Sequence, residues 1–496
     1  MKIGICIGHF SLIHPGHHAF LSYAFSACDL LVIFVTDREG GSPTDTANFQ
    51  KVVTQLEKFA FISNVRSIDE LPGFLEEVGI ANCLFFMGAK PRTGSPSAAQ
   101  IWCERLDIDS SQIAINSGIE DYHRLYVGLD NSEQQIAKAL AFEEAVQILN
   151  VIRTDLVNNL DRLVGRRCVV LGDVIVDRYV ECEASGISSE GPLIVMSELS
   201  DRSFVGGAGL VALNLASLGV ETSLAGVFRF DRGTIDVYVN QILESWNIDR
   251  IPVFDSPLLG ATIKTRYLCE RTKVFRTTKK GCIDKLWLNC TFAISKLEDV
   301  IAESFALILS DFSLGIFSSI QNCDVVLKTA RAKGVRVYVD SQATSSSGGL
   351  YKFKGCHSIF CTLREARDCL SMLGVQSSEL GYDELGEYLL TKMDCQRVFL
   401  KLGENGFICY AIDRSEGPRR IFVPALVSDP IDATGAGDTF LSAVVVAESK
   451  GMSLEEACVF GALASACAVS TSGNMHIDID KVKRRNQEID LMLQGV

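Results

Sequence analysis

Asp432-Ala433-Thr434-Gly435-Ala436-Gly437-Asp438, running directly into Thr439-Phe440, is a glycine turn that opens a helix. Its glycines let backbone N–H groups converge on a phosphate, and the positive end of the following helix adds to the anion site. Asp438 places an acid inside this anion-attracting turn. A carboxylate there is costly unless it has chemistry to do. The chemistry that fits is removal of a proton from a hydroxyl attacking the γ-phosphate of ATP, which makes Asp438 the candidate base.

Working back from this turn, Ala306–Leu309 and Val335–Val339 read as parallel core strands that end near Asp311 and Asp340. Gly206-Gly207-Ala208 leads into a helix that stops near Gly219, and Cys168–Leu171 is a strand ending at Gly172-Asp173. Segments 179–200 and 261–278 alternate and are β-branched, as expected of a small sheet projecting as a lid. Ser453-Leu454-Glu455-Glu456 is a capping box before a helix that is apolar nearly all round. Residues 131–163 hold neither Gly nor Pro and show helical periodicity, with Ser132 as the expected cap.

The chain opens with a second phosphate-type signature. Residues 2–7 read as a buried strand, Gly8-His9-Phe10 as a glycine loop, and His14-Pro15-Gly16-His17 as the start of a helix through about Ala27. Leu30–Val35 and Cys83–Met87 are further strands, the latter ending at Gly88. His14 and His17 would face one anion site, where two imidazole donors can stabilise charge on an α-phosphate as pyrophosphate leaves. A zinc site at the same pair lacks further ligands nearby. The expected architecture is α/β with two doubly wound domains: residues 1–127, a helical linker 128–165, and a larger unit 166–496 carrying the β-lid.

The 496 residues exceed what one core serves, and 47% hydrophobic with 22% charged residues is ordinary globular composition. A net charge of −14 argues against nucleic acid or an anionic membrane as a partner. The 17 cysteines include no C-x-x-C pair, so buried free thiols in a reducing cytoplasm are expected. The longest apolar runs, such as Ala443–Ala447, are too short to span a bilayer.

The Asp432–Asp438 segment, Gly206-Gly207 and Gly172-Asp173 with Asp177-Arg178 resemble the ribokinase-like (PfkB) sugar kinases over roughly residues 166–490. The resemblance implies Asp438 as base and the backbone of Thr434, Gly435, Ala436 and Gly437 as anion hole for ATP. It implies Gly206, Gly207, Asp173 and Asp177 as sugar contacts, and Mg2+ with ATP, Glu365 acting on the metal indirectly. Here Thr362 stands where that family's magnesium-linked element begins with Asn.

The phrases LGDVIVDRY, SGISSEGPLIV, VGGAGLVALNLASLG and DATGAGDT are most similar to the heptose 7-phosphate kinases of ADP-heptose synthesis. Gly186 replaces an Arg of that family, Leu210 an Asn, Ser341-Gln342 a Pro-Lys, and Ser313-Leu314-Gly315 a Gly-Lys-Gly. Lys264, Arg266 and Arg276 remain candidate phosphate contacts, with Lys264 assigned to the sugar. Residues 1–125 resemble the cytidylyltransferase-like nucleotidyltransferases, which implies nucleotide contacts at Gly8, His9 and Phe10 and catalysis by His14 and His17. Ser11, Met87-Gly88-Ala89-Lys90 and Asn116-Ser117-Gly118 depart from that pattern, and Lys51 and Arg124 are weak phosphate candidates.

The expected function is phosphorylation of a sugar or sugar phosphate by the second unit and nucleotidyl transfer to a sugar 1-phosphate by the first. A kinase for another sugar and a nucleotide-sensing protein stay open beside it. The lid's β-edges suggest a homodimer formed through the lid.

Overall fold

The protein is seen in a computed structural model that describes residues 3–8, 28–35, 64–78, 83–88, 113–116, 131–227, 234–253, 261–270, 272–281, 291–342, 349–378, 380–413 and 417–494. The chain divides into two compact units, Met1–Ala141 and Phe142–Val496.

In the first unit, β1 (Ile3–Gly8), β2 (Leu30–Val35), β3 (Asn64–Ser67), β4 (Cys83–Gly88) and β5 (Ile113–Asn116) form one sheet in the order β3-β2-β1-β4-β5. Every pairing is parallel. The continuous apolar runs of β1 and β2 follow from burial on both faces: Ile5, Val32 and Phe34 are in the core with Phe74 of α1 (Leu71–Val78). Gly8 and Gly88 end the adjacent strands β1 and β4, where the strand order reverses; in open α/β sheets this is where ligands enter. His9, Phe10, His14 and His17 lie outside the described residues, as do Ser11, Lys51 and Arg124.

In the second unit, nine strands form the main sheet: β6 (Gly165–Gly172), β9 (Val220–Gly226), β10 (Asp249–Pro252), β13 (Ala306–Asp311), β14 (Arg336–Ser341), β15 (Ser358–Thr362), β16 (Arg397–Lys401), β17 (Phe407–Asp413) and β18 (Gly417–Val423). Their order is β10-β9-β6-β13-β14-β15-β16-β17-β18, parallel from β10 to β16 and antiparallel beyond. A second sheet, ordered β12-β11-β7-β8, comprises β7 (Val174–Ile187), β8 (Ile194–Gly207), β11 (Thr262–Cys269) and β12 (Thr272–Lys279). It is built from the two segments whose alternation suggested a lid.

Ten described helices belong to the second unit or lead into it: α2 (Asn131–Ile148), α3 (Arg153–Arg162), α4 (Ala208–Ser217), α5 (Thr234–Ser245), α6 (Thr291–Ala302), α7 (Ile320–Ala332), α8 (Leu363–Met372), α9 (Tyr382–Lys392), α10 (Ala436–Ser449) and α11 (Leu454–Val469), with α12 (Ile479–Gln494) closing the chain as an eleventh. The helical stretch 131–163 is thus two helices, and Ser132 falls inside the first turn of α2 rather than before it. Arg153 of α3 is buried and donates to Glu143 at 2.7 Å and to Asp490 of α12 at 2.6 Å, fixing this segment to the far end of the chain. The Ser453 box forms as read: Ser453 Oγ accepts from Glu456 N at 3.1 Å and Glu456 Oε2 from Ser453 N at 2.8 Å. Buried residues run round all of α11 because it lies against both α10 and α12.

Under the anion turn, Phe360 of β15 stacks on Phe399 of β16 with centroids 4.4 Å apart, and Phe440 of α10 meets both at 5.5 and 5.7 Å. This cluster seats the start of α10 on the sheet. Phe399 is fully buried, so Phe399→Ala is expected to cost about 3–5 kcal/mol in urea unfolding of the full chain; a loss below 1 kcal/mol would show that the cluster does not support the sheet.

Candidate active site

The parallel strands deliver their polar residues to one edge of the sheet. Asp173 follows β6, Ser310 and Asp311 end β13, Asp340 and Ser341 end β14, Thr362 ends β15 and Lys401 ends β16. The turn before α10 arrives over the same edge. Gly435, its N-cap, has φ +80°, a left-handed conformation that suits glycine. A Cβ at Gly435 would overlap Asn474 Oδ1, and one at Gly437 would stand 3.3 Å from Lys401 Nζ and 3.7 Å from Asp340 Oδ2. The turn is therefore in close packing with side chains from three separate parts of the chain.

The four residues of the expected anion hole are not equivalent. Thr434 N–H donates to Asp432 Oδ1 at 3.0 Å and Ala436 N–H to Ala433 O at 3.3 Å, so both are engaged inside the turn. The first-turn N–H groups of Gly437 and Asp438 have no intrahelical acceptor and are placed to receive an anion.

Asp438 is buried, and among the described residues its carboxylate takes no hydrogen bond. Burial pushes its pKa well above the ordinary value. Asp340 and Asp177 push in the same direction, and Lys401 and Lys264 oppose. A carboxylate with raised proton affinity and no internal donor is free to take a proton from a bound hydroxyl.

Asp177 lies on β7 with Oδ1 accepting from Arg266 of β11 and Oδ2 accepting from Asn474 Nδ2 at 2.7 Å. Gly206 is required beside it, since any Cβ there would overlap Asp177 Oδ2. Gly207 has φ +59° and its Cβ would overlap the backbone oxygen of Asp173. Asp173 Oδ2 accepts from the N–H groups of Phe312 at 2.9 Å and Leu314 at 3.2 Å, so it shapes the loop after β13. Burial, with Asp311 adding, raises its pKa to about 6. Lys264 of β11 stands 4.8 Å above the ring of Phe312, and burial lowers its pKa.

Glu365 sits in the first turn of α8. Its Oε2 accepts from Thr362 N at 2.8 Å and Thr362 Oγ1 accepts from Glu365 N at 3.3 Å, a capping box. Burial raises the Glu365 pKa, Lys401 lowers it and Asp340 raises it, which places the three groups in one electrostatic cluster. No group of three or more acidic, His or Cys ligands gathers among the described residues. Mg2+ needs no such cage, because it keeps several waters and binds phosphates. Asp340 Oδ1, buried without a partner, and the Glu365 carboxylate are the hard oxygens that suit a hydrated Mg2+.

Several participants carried no signal of their own in the sequence. Lys401 Nζ donates to Asp340 Oδ2 at 2.6 Å, and Lys352 Nζ to Asp311 Oδ2 at 2.8 Å. Asn474 joins Asp177 to the anion turn, and its Oδ1 is buried without a partner, as is Asp173 Oδ1. Asp432 is held by Tyr179 and Lys273 from the second sheet.

The fold and this edge of acids and glycines define a carbohydrate-kinase class of site. The family described as pfkB family carbohydrate kinase matches residues 166–481, and the chain belongs to it. Curated relatives include Bifunctional protein HldE of Sulfurimonas denitrificans, 25% identical over 64% of this chain and 63% of that protein. The protein of the same name from Chromohalobacter salexigens is 28% identical over 63% of this chain and 62% of its own. The aligned part thus spans under two thirds of the length of these relatives. Among solved structures, phosphofructokinase-2 of Escherichia coli with substrates and products superposes with TM-score 0.53 at 17% identity, covering 66% of this chain and 99% of that one. Ribokinase of Arabidopsis thaliana complexed with ribose and ATP gives TM-score 0.50 at 19% identity over 65% and 98%. Both confirm a ribokinase-like α/β fold in the second unit.

Asp173 offers a test of the site's electrostatics. Its folded pKa of about 6 lies above the ordinary 3.8, so the folded state binds the extra proton between those values and stability falls as pH rises through them. The ionised form costs about 3 kcal/mol at pH 7.5. Asp173→Asn removes that cost. Its unfolding free energy relative to the parent is expected to improve from pH 5 to pH 7.5, and a constant difference across that range refutes the assignment.

Proposed function

We propose that the second unit transfers the γ-phosphoryl group of ATP to a hydroxyl of a sugar or sugar phosphate. The observation that carries this reading is Asp438, buried at the N-terminus of α10 with no side-chain hydrogen bond among the described residues and with raised proton affinity. The unpartnered oxygens Asp173 Oδ1, Asp340 Oδ1 and Asn474 Oδ1 belong to the same edge of the sheet and suit a ligand rich in hydroxyl donors. Asp438 takes the acceptor's proton. The N–H groups at the start of α10 receive the γ-phosphoryl oxygens, and Lys401 and Lys264 balance charge around the carboxylate. Mg2+, held through Asp340, Glu365 and water, would neutralise charge on the β- and γ-phosphates. Asp177, Gly206 and Gly207 position the acceptor.

The acceptor we favour is D-glycero-D-manno-heptose 7-phosphate, on the motif resemblance and the bifunctional relatives. Residues 1–127, within the first unit, would then transfer a nucleotidyl group to a sugar 1-phosphate through His14 and His17, in the cytoplasm. Its support is the parallel sheet with Gly8 and Gly88 side by side at the reversal of strand order. One observation favours a different, less anionic sugar. Leu314 and Gln342 stand where the resembled kinases carry lysines, and Lys352 is consumed by Asp311.

ADP release from Mg-ATP with the heptose 7-phosphate tests this reading. Asp438→Asn is expected to lower the rate about 10²–10⁴-fold, and the parent rate to fall as pH drops through the raised pKa of Asp438. Release with an unphosphorylated sugar alone would replace the acceptor, and release unaffected in the variant would remove Asp438 as base.

The exposed Ile187, Leu193, Ile194, Val195 and Leu199 on the hairpin of β7 and β8 support a homodimer through the second sheet. Light scattering is expected to give twice the chain mass, falling to one chain mass in Ile194→Asp/Leu199→Asp; a monomeric parent at working concentration contradicts the dimer.

A further inference from the structure

Asp432 opens the anion turn, and its buried carboxylate is bound on every side. Oδ1 accepts from Thr434 N at 3.0 Å, Thr434 Oγ1 at 2.7 Å and Lys273 Nζ at 2.7 Å, while Oδ2 accepts from Tyr179 OH at 2.9 Å. Behind it, the N–H groups of Ile431 and Asp432 donate to Val469 O at the end of α11. The side of the turn nearest the second sheet is thus held by two side chains that the sheet supplies.

Lys273 is an unusual partner for such a group. It lies on β12, the outermost described strand of its sheet, which among the described residues pairs only with β11, and every residue of β12 is exposed. The Lys273 side chain is 45% exposed while Asp432 is 4% exposed. A lysine on an edge strand ordinarily serves to discourage strand pairing and points to water. Here its ammonium reaches away from the strand to the mouth of the turn and also lies 3.3 Å from Thr434 Oγ1. A half-exposed pair of this kind adds little to global stability, so its effect is local to the turn.

We propose that Lys273 is a positioning residue for phosphoryl transfer: from the edge of the second sheet its ammonium holds Asp432, and through Asp432 and Thr434 it sets the turn that receives the γ-phosphoryl group. This rests on the kinase reading above. Two consequences follow from the contacts. Removing the ammonium leaves a buried anion beside the γ-phosphate site, which repels the ligand. It also leaves Asp432 facing only Tyr179, Thr434 and the more distant Arg266 guanidinium, which stands over Tyr179 at 5.2 Å. Burial by itself raises the Asp432 pKa; Lys273, Thr434 and Tyr179 outweigh it and hold the group at about 2. Without Lys273 the balance moves upward, while Thr434 and Tyr179 still hold the carboxylate.

The test is calorimetric binding of Mg–AMP-PNP and Mg–ADP to the full chain at one neutral pH, which requires no knowledge of the acceptor. Lys273→Met is expected to weaken AMP-PNP at least tenfold and to leave ADP within twofold. Lys273→Arg is expected to recover most of the loss, and Lys279→Met, exposed on the same strand with no ion pair among the described residues, to match the parent. The proposal is overturned if Lys273→Met matches Lys279→Met, or if it weakens both nucleotides equally while lowering Tm. A parent chain that binds neither nucleotide would instead overturn the kinase reading, and this proposal with it.

Discussion

Placing several carboxylates in one buried edge is the constraint around which the second unit is organised. An isolated buried carboxylate is expensive, and two near each other more so. The structure meets the cost by pairing most of them: Asp177 with Arg266, Asp311 with Lys352, Asp340 with Lys401 and Asp432 with Lys273. The acids left without a salt-bridged cation, Asp173, Asp438 and Glu365, are those whose pKa values rise. Pairing therefore separates the acids that are tied to a cation and shape the site from the groups whose proton affinity is raised. Asp438 falls in the second set because no cation comes close enough to bind it, although Lys401 and Lys264 are near enough to temper it.

Topology explains how residues so distant in sequence reach one edge. Parallel strands all present their carboxyl ends on the same side, so each βα connection contributes to one line of residues from Asp173 to Lys401. Helix N-termini point the same way. The start of α10 meets this line over the Phe360, Phe399 and Phe440 cluster. The second sheet grows from β7 and β8, whose inner ends carry Asp177, Gly206 and Gly207; across the strands Gly206 faces Ile175, Gly207 faces Val174 and Asp177 faces Phe204. The residues proposed to contact the acceptor thus lie where the two sheets join, and the second sheet reaches Asp177 through Arg266 and Asp432 through Lys273.

Much of this was legible in the sequence because it is local. The anion turn, the Gly206-Gly207 pair, the strands ending in Asp311 and Asp340, and the Ser453 box are patterns within a few residues. The pairings that tune the site are not. Asn474 meets Asp177 across 297 positions, Tyr179 meets Asp432 across 253, and Lys352 meets Asp311 across 41. Nothing in the residues flanking Lys273 distinguishes it from the solvated Lys279 on the same strand. Local pattern also misplaced detail within the turn: all of Thr434–Gly437 reads as an anion hole, but Thr434 turns its N–H toward Asp432. The role of Glu365 was drawn from resemblance alone, and its capping bonds to Thr362 show why the helix needs it whether or not a metal is present.

The substitutions around Asp311 bear on what the acceptor carries. Gln342 and Leu314 occupy positions where the resembled kinases have lysines, and Lys352 does not replace that charge for a ligand. Its ammonium is buried, shared between Asp311 Oδ2 and Phe317 O at 3.1 Å. Ser341 likewise spends its hydroxyl on Asp311 at 2.8 Å. The cations on this edge are therefore committed inward, as are Lys401 and Arg266. Lys264 differs: its only described close partner is the ring of Phe312, and its lowered pKa reflects burial without an ion pair. Arg276 stands directly across the strands from Arg266 and is exposed. An anionic group on the acceptor would thus be met from the second sheet, by Lys264 with Arg276, and not from the loops of the main sheet. Such an arrangement would tie recognition of acceptor charge to β11 and β12, the two strands that carry these residues.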